Sequence, residues 1–483
     1  MKDLKNKPFI GRKKELADLD RFTQKSTSSL IVIRGRRRIG KSRLVKEFAK
    51  SFDTFYTFSG VAPTKETTHQ SQLDEFSAQL SKQLNMPEFK VNDWNKLFWL
   101  LAEKVKKGKT LLFFDEISWM GSKDSDFLGK IKNAWDMYFS DNPALIFIIC
   151  GSASSWIEKN ILSSTGFLGR VSYTLTVREV KLQDCIAFWG SYSKNISAYE
   201  KLKMLSITGG VPKYLEEINP KVSAEDNIKD LCFRPGGLLV NEFDNIFSDL
   251  FLHNSAVYRQ IVSMLASGAK DTQEIAQLLG TEPTGRLSDY LDELKLAGFV
   301  SRDYTWHLKT GHDSKLSRYR LSDNYLRFYV KYVEPYRTQI ERDNFEVKTL
   351  TALPEFSTIL GLQFENLVLN NRHEIHAALR LRAEDIINEN PFFQRATSTQ
   401  QGCQIDYMIQ TKFNTLYVVE IKFLRDQIGE TIIKEVQQKI DRLTRTRAYS
   451  VRPVLVHVNG ISPSVVESGY FAAIIDFGSL LEI

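Results

Sequence analysis

The chain reads as a multidomain α/β protein, and three features of the sequence say so. A glycine-rich loop near the N-terminus stands between an apolar, β-branched run and a helical pattern. Two further apolar runs, "LLFF" and "ALIFIIC", have the length and composition of buried parallel strands. The C-terminal third carries a hairpin pattern in which charged residues sit among apolar ones. At 483 residues the chain exceeds what one core usually serves, so three or four domains are expected.

The glycine-rich stretch is "RGRRRIGKS", Arg34 to Ser42. Gly35, four intervening residues and Gly40-Lys41-Ser42 give the pattern G-x-x-x-x-G-K-[ST] of a phosphate-binding loop. "SLIVI" before it predicts a buried strand, and "RLVKEFAK" after it has apolar residues at helical spacing. The chemistry needs that setting, because backbone N–H groups turned inward at a helix N-terminus form an anion site. Gly35, Arg36, Arg37, Arg38, Ile39, Gly40, Lys41, Ser42 and Arg43 are therefore the candidate nucleotide-binding residues. Lys41 would reach the β- and γ-phosphates of ATP, and the Ser42 hydroxyl would hold Mg²⁺. A glycine turn with chance spacing is the alternative.

Composition bounds the rest. With 42% hydrophobic and 25% charged residues the chain has a soluble globular balance. The net charge of +7 is concentrated in residues 1–50, which hold sixteen Lys and Arg against five Asp and Glu. That excess permits nucleic-acid binding without demonstrating it, since part of it serves the nucleotide phosphates. Cys150, Cys185, Cys232 and Cys403 are far apart in sequence and are expected as reduced, buried thiols. The N-terminal "MKDLKNKPFI" lacks the apolar core of a signal peptide, and no run is long enough to span a bilayer. A cytoplasmic protein without membrane contact is expected.

In chain order, "FIGRKKELADLDRF" sets Gly11-Arg12 before an amphipathic helix bearing Leu16, Leu19 and Phe22. "TFYTFSG" predicts a strand, and helices follow around Gln72 to Leu84 and Trp94 to Lys106. "KTLLFFDEISWM" predicts a buried strand ending in Asp115-Glu116, the second half of an ATPase site. Asp115 would bind Mg²⁺ through water or Ser42, and Glu116 would polarise the attacking water. "ALIFIIC" then ends at Gly151-Ser152, and "STGFLGRVSYTLTV" contains Gly169-Arg170. Residues from about Leu175 to Asp249 look helical, with "ITGGVPKYLEEI" in the middle.

From Ser255 to Val300 three short helices follow one another, and "AGFVSRDYTW" with "SRYRLSD" supplies two strands of a wing, which makes a winged helix. Its recognition stretch, Thr281 to Gly298, sets Glu282, Asp289, Asp292 and Glu293 against Arg286 and Lys295. That charge favours structural or protein-contact use, although Thr284, Arg286 and Ser288 could reach a groove. Past a linker near "VEPYRTQIERDNFE", the stretch "GCQIDYMIQTKFNTLYVVEIKFL" predicts a hairpin with a "KFNT" turn. Alternation puts Leu416, Val418, Glu420 and Lys422 on one face, where Asp406 of the partner strand can converge with them. "GLQFENLVL" sets Glu365 on a helix, and Gln437 and Lys439 lie on the helix after the hairpin. The alternative is a charged hairpin in which Glu420 and Lys422 pair.

Taken in order, "FIGRKKEL", the P-loop, "LLFFDE", "GSAS", "GR", "GGVPKYL", the winged helix and Asp…Glu-x-Lys resemble a prokaryotic P-loop ATPase family near AAA+ and STAND proteins. Its members carry a C-terminal domain of PD-(D/E)xK nuclease type. The resemblance spans nearly the whole chain. It implies a P-loop NTPase parallel sheet at 1–174, a helical lid at 175–250, a winged helix at 251–335 and an α/β nuclease-like domain at 336–483. It also implies an adenine-side contact at Gly11 and Arg12, a γ-phosphate sensor at Ser152, an arginine finger at Arg170 and a base-packing proline at Pro212. An ordinary turn serine and a surface salt bridge are the plainer readings of Ser152 and Arg170. A finger acting between subunits would call for a homo-oligomer. In the nuclease-like domain, the resemblance implies Mg²⁺ held by Asp406 and Glu420 with Glu365 as a further ligand, and Lys422 stabilising charge. Gln404 stands where such domains often have an acid. Two functions are expected to compete: an ATP-driven enzyme acting on DNA or RNA, and a nucleotide switch whose winged helix and inactive nuclease fold only bind partners.

Overall fold

The computed structural model describes residues 8–152, 154–250, 255–398, 400–444 and 448–482. The stretch compared with a signal peptide begins in residues 1–7, outside those described. Two compact units emerge, Met1–Val180 and Lys181–Ile483. No helix among the described residues is long and apolar enough to cross a membrane. All four cysteines are buried.

The first unit is a five-stranded parallel sheet. Its strands are β1 (Ser29–Arg34), β2 (Thr54–Ser59), β3 (Thr110–Asp115), β4 (Leu145–Gly151) and β5 (Val171–Thr176), in the order β2-β3-β4-β1-β5. β1, β3 and β4 are runs of Leu, Ile, Val and Phe because helices cover both faces of the sheet, and every residue of β4 is buried. On one face Phe76, Trp94 and Phe98, from the helices His69–Leu84 and Trp94–Val105, pack against Phe58 and Phe114. Order and register then place the site. β4 lies between β1 and β3, and the pairs Arg34↔Gly151 and Phe114↔Ile149 bring the three C-terminal ends level. In such sheets this edge is where ligands bind.

The unit ends later than residue 174. Val177 N–H donates to Arg34 O at 2.8 Å, and an ideal Cβ on Gly35 would lie 2.3 Å from Val177 O. This close approach, with φ of 150° at Gly35, is why a glycine opens the loop.

The second unit begins with helices, including Ala198–Thr208 and Ala224–Cys232. Three helices, Ser255–Ala266, Thr272–Leu278 and Gly285–Leu296, precede an antiparallel hairpin of β6 (Val300–Trp306) and β7 (Asp313–Leu321). A five-stranded mixed sheet follows, made of β8 (Ile386–Gln394), β9 (Cys403–Thr411), β10 (Thr415–Ile421), β11 (Ser450–His457) and β12 (Ala473–Asp476). Its order is β12-β11-β10-β9-β8. β9 is antiparallel to both neighbours, whereas β10, β11 and β12 run parallel. The helix Thr431–Arg442 makes the crossover from β10 to β11.

The expected boundaries at 250 and 335 do not separate compact bodies. Trp306 of β6 is buried in the same cluster as Phe392, Ile405 and Met408, and its indole N–H donates to Gln410 Oε1. The expected linker near Val333 is helical and anchored, with Ile340 fully buried in Arg337–Glu341.

Candidate nucleotide site and a second carboxylate cluster

The P-loop joins β1 to the helix Lys41–Phe48 as its sequence predicts. Arg38 has φ of 68° and Gly40 of 88°, left-handed turns that fold the loop back over the helix N-terminus. Lys41 is buried at 6% exposure, and its Nζ donates to the carbonyls of Gly35 (2.9 Å) and Arg36 (3.0 Å). The ammonium is thus held across the mouth of its own loop.

Arg12 supports that loop from behind. Gly11 and Arg12 both have positive φ and turn the chain into the helix Lys13–Thr23, while Arg12 Nη2 donates to Ile39 O at 3.0 Å. The same guanidinium pairs with Glu15 at 2.9 Å. Arg36 lies 3.9 Å from Glu179, and Arg43 donates to Pro8 O at 2.9 Å. The sequence did not single out Glu15 or Glu179. Glu15 had a signal, standing three residues after Arg12 in a helix.

Four side chains meet at the sheet edge. The Ser42 hydroxyl donates to Asp115 Oδ2 at 2.6 Å, and Glu116 N–H donates to Asp115 Oδ1 at 3.1 Å. Glu116, with φ of 49°, leaves the end of β3, and its Oε2 accepts from both Ser152 N–H (3.2 Å) and Ser152 Oγ–H (3.0 Å). Ser152 therefore touches the carboxylate beside the phosphate loop, one residue past the strand between the two motifs. Hydroxyl and carboxylate oxygens side by side form a hard donor pair of the kind that suits Mg²⁺, which keeps several waters and needs only one or two protein carboxylates.

Arg170 sits just before β5 and clamps Asp136 with two bonds, Nε to Oδ1 at 2.7 Å and Nη2 to Oδ2 at 2.8 Å. Lys132 adds a third contact at 3.0 Å. The bond from Arg170, against some burial, holds the Asp136 carboxyl down at about 2. Pro212 starts the helical turn Pro212–Leu215 in the second unit, where Tyr214 is buried against Tyr325.

The second cluster lies on β9, β10 and the helix Thr431–Arg442. The register Val418↔Met408, continued by one further non-bonded pair, sets Glu420 across from Asp406 as strand alternation predicts. Ile421 N–H donates to Asp406 Oδ2 at 3.0 Å and fixes its rotamer. Lys439 is what the sequence reading undervalued. Its Nζ donates to Glu420 Oε2 at 2.5 Å and to Asp406 Oδ1 at 3.3 Å. Lys422 contacts Glu420 Oε1 at 3.1 Å and donates to Glu435 Oε2 at 3.0 Å. The signal was the spacing of Glu435 and Lys439, four residues apart on the helix that covers the hairpin.

Glu365, Asp406 and Glu420, the expected metal ligands, lie close enough for the Asp406 charge to raise both glutamates. Among the described residues no three His, Cys, Asp or Glu side chains group to hold a metal ion. Three like charges in an apolar setting repel, and the fold answers with an ammonium between two of them. Burial, then the Asp406 charge, raises the Glu420 pKa even with two lysines beside it. Burial and then Asp406 likewise push Glu365 up to about 7, while Arg320 and Arg327 pull it back. For Lys439, burial opposes the charge, and Asp406 and Glu420 outweigh it, so the ammonium is reinforced.

Comparison with known proteins bears on the first unit and the start of the second. Residues 9–218 match the family model described as an ATPase domain predominantly from Archaea. An uncharacterized protein of Methanocaldococcus jannaschii is 24% identical over 360 residues, which is 74% of this chain and 76% of that protein. An uncharacterized ATP-binding protein of the same organism is 42% identical over 43 residues, 9% of this chain and 73% of its own length. Among solved structures, the Walker-type ATPase of Pyrococcus abyssi superposes with a TM-score of 0.48 at 16% identity, covering 68% of this chain and 99% of that one. The ORC2 protein of Aeropyrum pernix gives 0.44 at 14% identity, covering 70% and 97%. The chain carries, over residues 9–218, an archaeal-type ATPase domain of the P-loop kind.

Proposed function

We propose that the first unit binds ATP with Mg²⁺ and hydrolyses it. The observation that carries this reading is the meeting of Lys41, Ser42, Asp115, Glu116 and Ser152 at the C-terminal edge of one parallel sheet. Lys41 exchanges its loop carbonyls for phosphate oxygens, and the loop N–H groups between Gly35 and Ser42 bind the rest of the phosphate charge. Ser42 and Asp115 hold the metal, which when bound supplies positive charge to the β- and γ-phosphates. Glu116 takes the proton of the attacking water, and Ser152 orients that carboxylate and senses the γ-phosphate. Gly11 and Arg12 shape the adenine side. Arg170, released from Asp136, serves as the finger of a neighbouring copy. Glu116→Gln tests the reading: the variant should bind ATP as the wild type does and hydrolyse it at least about 10²-fold more slowly. Unimpaired hydrolysis would remove Glu116 from the mechanism.

A second reading concerns the second unit, where a helix bearing Glu365, three antiparallel strands bearing Asp406 and Glu420, a crossover helix and a parallel strand follow in order. That succession supports a PD-(D/E)xK-like nuclease domain. Asp406 and Glu420 already share one cation, the Lys439 ammonium, so the pair suits a single divalent ion once Lys439 withdraws. Lys422 remains to balance charge on a phosphodiester. Cleavage of labelled DNA or RNA that needs Mg²⁺ or Mn²⁺, and that changes with ATP, would support a coupled enzyme. The helices and hairpin at 255–321 read as a winged helix in structural use, because Trp306 of its wing is spent in the neighbouring core.

A further inference from the structure

The second unit contains a cleft of about 490 Å³ whose charged lining is entirely cationic. Arg318 comes from β7, Arg395 from the turn after β8, and Lys439 and Arg442 from the helix Thr431–Arg442. No Asp or Glu lines it. Gln404 of β9 stands in the lining as a neutral, exposed amide, where an acid would cancel one of these charges.

Two of the four cations are already compensated. Arg395 pairs with Asp271 at 2.6 Å, and Lys439 with Asp406 and Glu420. The other two are not. Arg318 stacks over the Phe393 ring at 5.0 Å, and neither it nor Arg442 makes an ion pair among the described residues. Like charges around one cleft raise a positive potential there, which attracts anions. Three elements bring the four cations around a cleft of about 490 Å³, more room than a single phosphate group fills. That distribution suits a ligand whose negative charges repeat. Planar guanidinium groups are also suited to phosphate oxygens.

We propose that this cleft binds the sugar-phosphate backbone of a nucleic-acid strand. Arg318 and Arg442 neutralise successive phosphates, and the path runs to Lys439, which touches both carboxylates of the second cluster. Gln404, a neutral amide, leaves that path free of negative charge. The inference goes beyond the cleavage reading, because binding here requires neither metal nor hydrolysis.

The test uses the full chain, a short fluorescein-labelled single-stranded oligonucleotide, and EDTA without ATP, so that neither cleavage nor nucleotide turnover contributes. Anisotropy titrations at several salt concentrations compare the wild type with Arg318→Gln/Arg442→Gln. The double variant should bind at least about 10-fold more weakly, and its slope of log K against log salt should be shallower by about 1.4, which is two phosphate contacts at about 0.7 each. Its melting temperature should stay near the wild type's. A control pair of exposed lysines, Lys194→Ala/Lys221→Ala, should leave affinity and slope unchanged. The proposal is overturned if the wild type does not bind the oligonucleotide, or if the double variant matches it in affinity and slope. Competition by inorganic triphosphate as effective as by unlabelled oligonucleotide would reassign the cleft to free phosphates and also overturn it.

Discussion

Both units set a pair of carboxylates on or beside the strands of a sheet, yet they surround them differently. At the nucleotide site Asp115 and Glu116 accept bonds from serine hydroxyls and backbone N–H groups, and the Lys41 ammonium is held by main-chain carbonyls. In the second cluster Asp406 and Glu420 are bound by the Lys439 ammonium itself, with Lys422 alongside Glu420. A carboxylate accepts the bonds at both pairs, so both sets are charge-assisted; they differ in that the donors are neutral at the first pair and cationic at the second. On the proposed reading the first pair would take a metal without displacing a cation from its carboxylates, whereas the second would have to displace the Lys439 ammonium.

Three perturbations sharpen or break this contrast. The largest effect is expected at Arg170. If it supplies charge to the nucleotide of a neighbouring copy, Arg170→Ala should lose turnover by about 10³-fold while keeping ATP affinity. Hydrolysis per subunit should then also rise with protein concentration. A variant with normal, concentration-independent turnover would leave Arg170 as the partner of Asp136 alone.

A smaller effect is expected at Glu420. Its folded pKa is raised, so the fold disfavours its ionised form above the ordinary carboxylate range. Glu420→Gln should match or exceed the wild-type melting temperature at neutral pH, and should lose the stabilisation that Mn²⁺ gives the wild type. A melting series with and without Mn²⁺ decides it. Marked destabilisation with no metal response in either protein would make Glu420 a structural partner of Lys439.

Glu365 should give the smallest effect. Its folded pKa near 7 lies above the ordinary 4.5, so between these values the folded chain holds more protons than the unfolded one. Its contribution to stability is therefore present at low pH and is lost as pH rises through about 7. Relative to wild type, Glu365→Gln should gain a few degrees of melting temperature at pH 8 over pH 5, on the order of what about one to three kcal/mol gives. The same pH dependence in both proteins would exclude a raised Glu365.

The contrast also explains what could be read from the sequence. The nucleotide site is built by local rules: glycines at left-handed positions, a β-branched strand before them, and acids at the end of an apolar run. Gly35, Lys41, Ser42, Asp115, Glu116 and Ser152 could be named because each follows directly from its own strand or turn. The hairpin register that sets Asp406 across from Glu420 was legible for the same reason, as strand alternation is local. Long-range pairing was not. Lys439 lies nineteen residues after Glu420 and thirty-three after Asp406, and its two bonds arise from docking of a helix whose local spacing places Lys439 beside Glu435 without naming its strand partners. The merging of the β6-β7 hairpin with the C-terminal sheet escaped for that reason too. Trp306 reads as an ordinary strand aromatic until Gln410, more than a hundred positions away, accepts its N–H.

The nucleotide site is the centre of the account, and calorimetry of Mg²⁺·ATP binding to the wild type and to Lys41→Ala tests it most directly. Removing the ammonium leaves phosphate charge that loop N–H dipoles alone do not neutralise. The wild type should bind one ATP per chain, and Lys41→Ala should show no measurable binding while keeping its fold. Equal affinity in the two proteins would contradict the account.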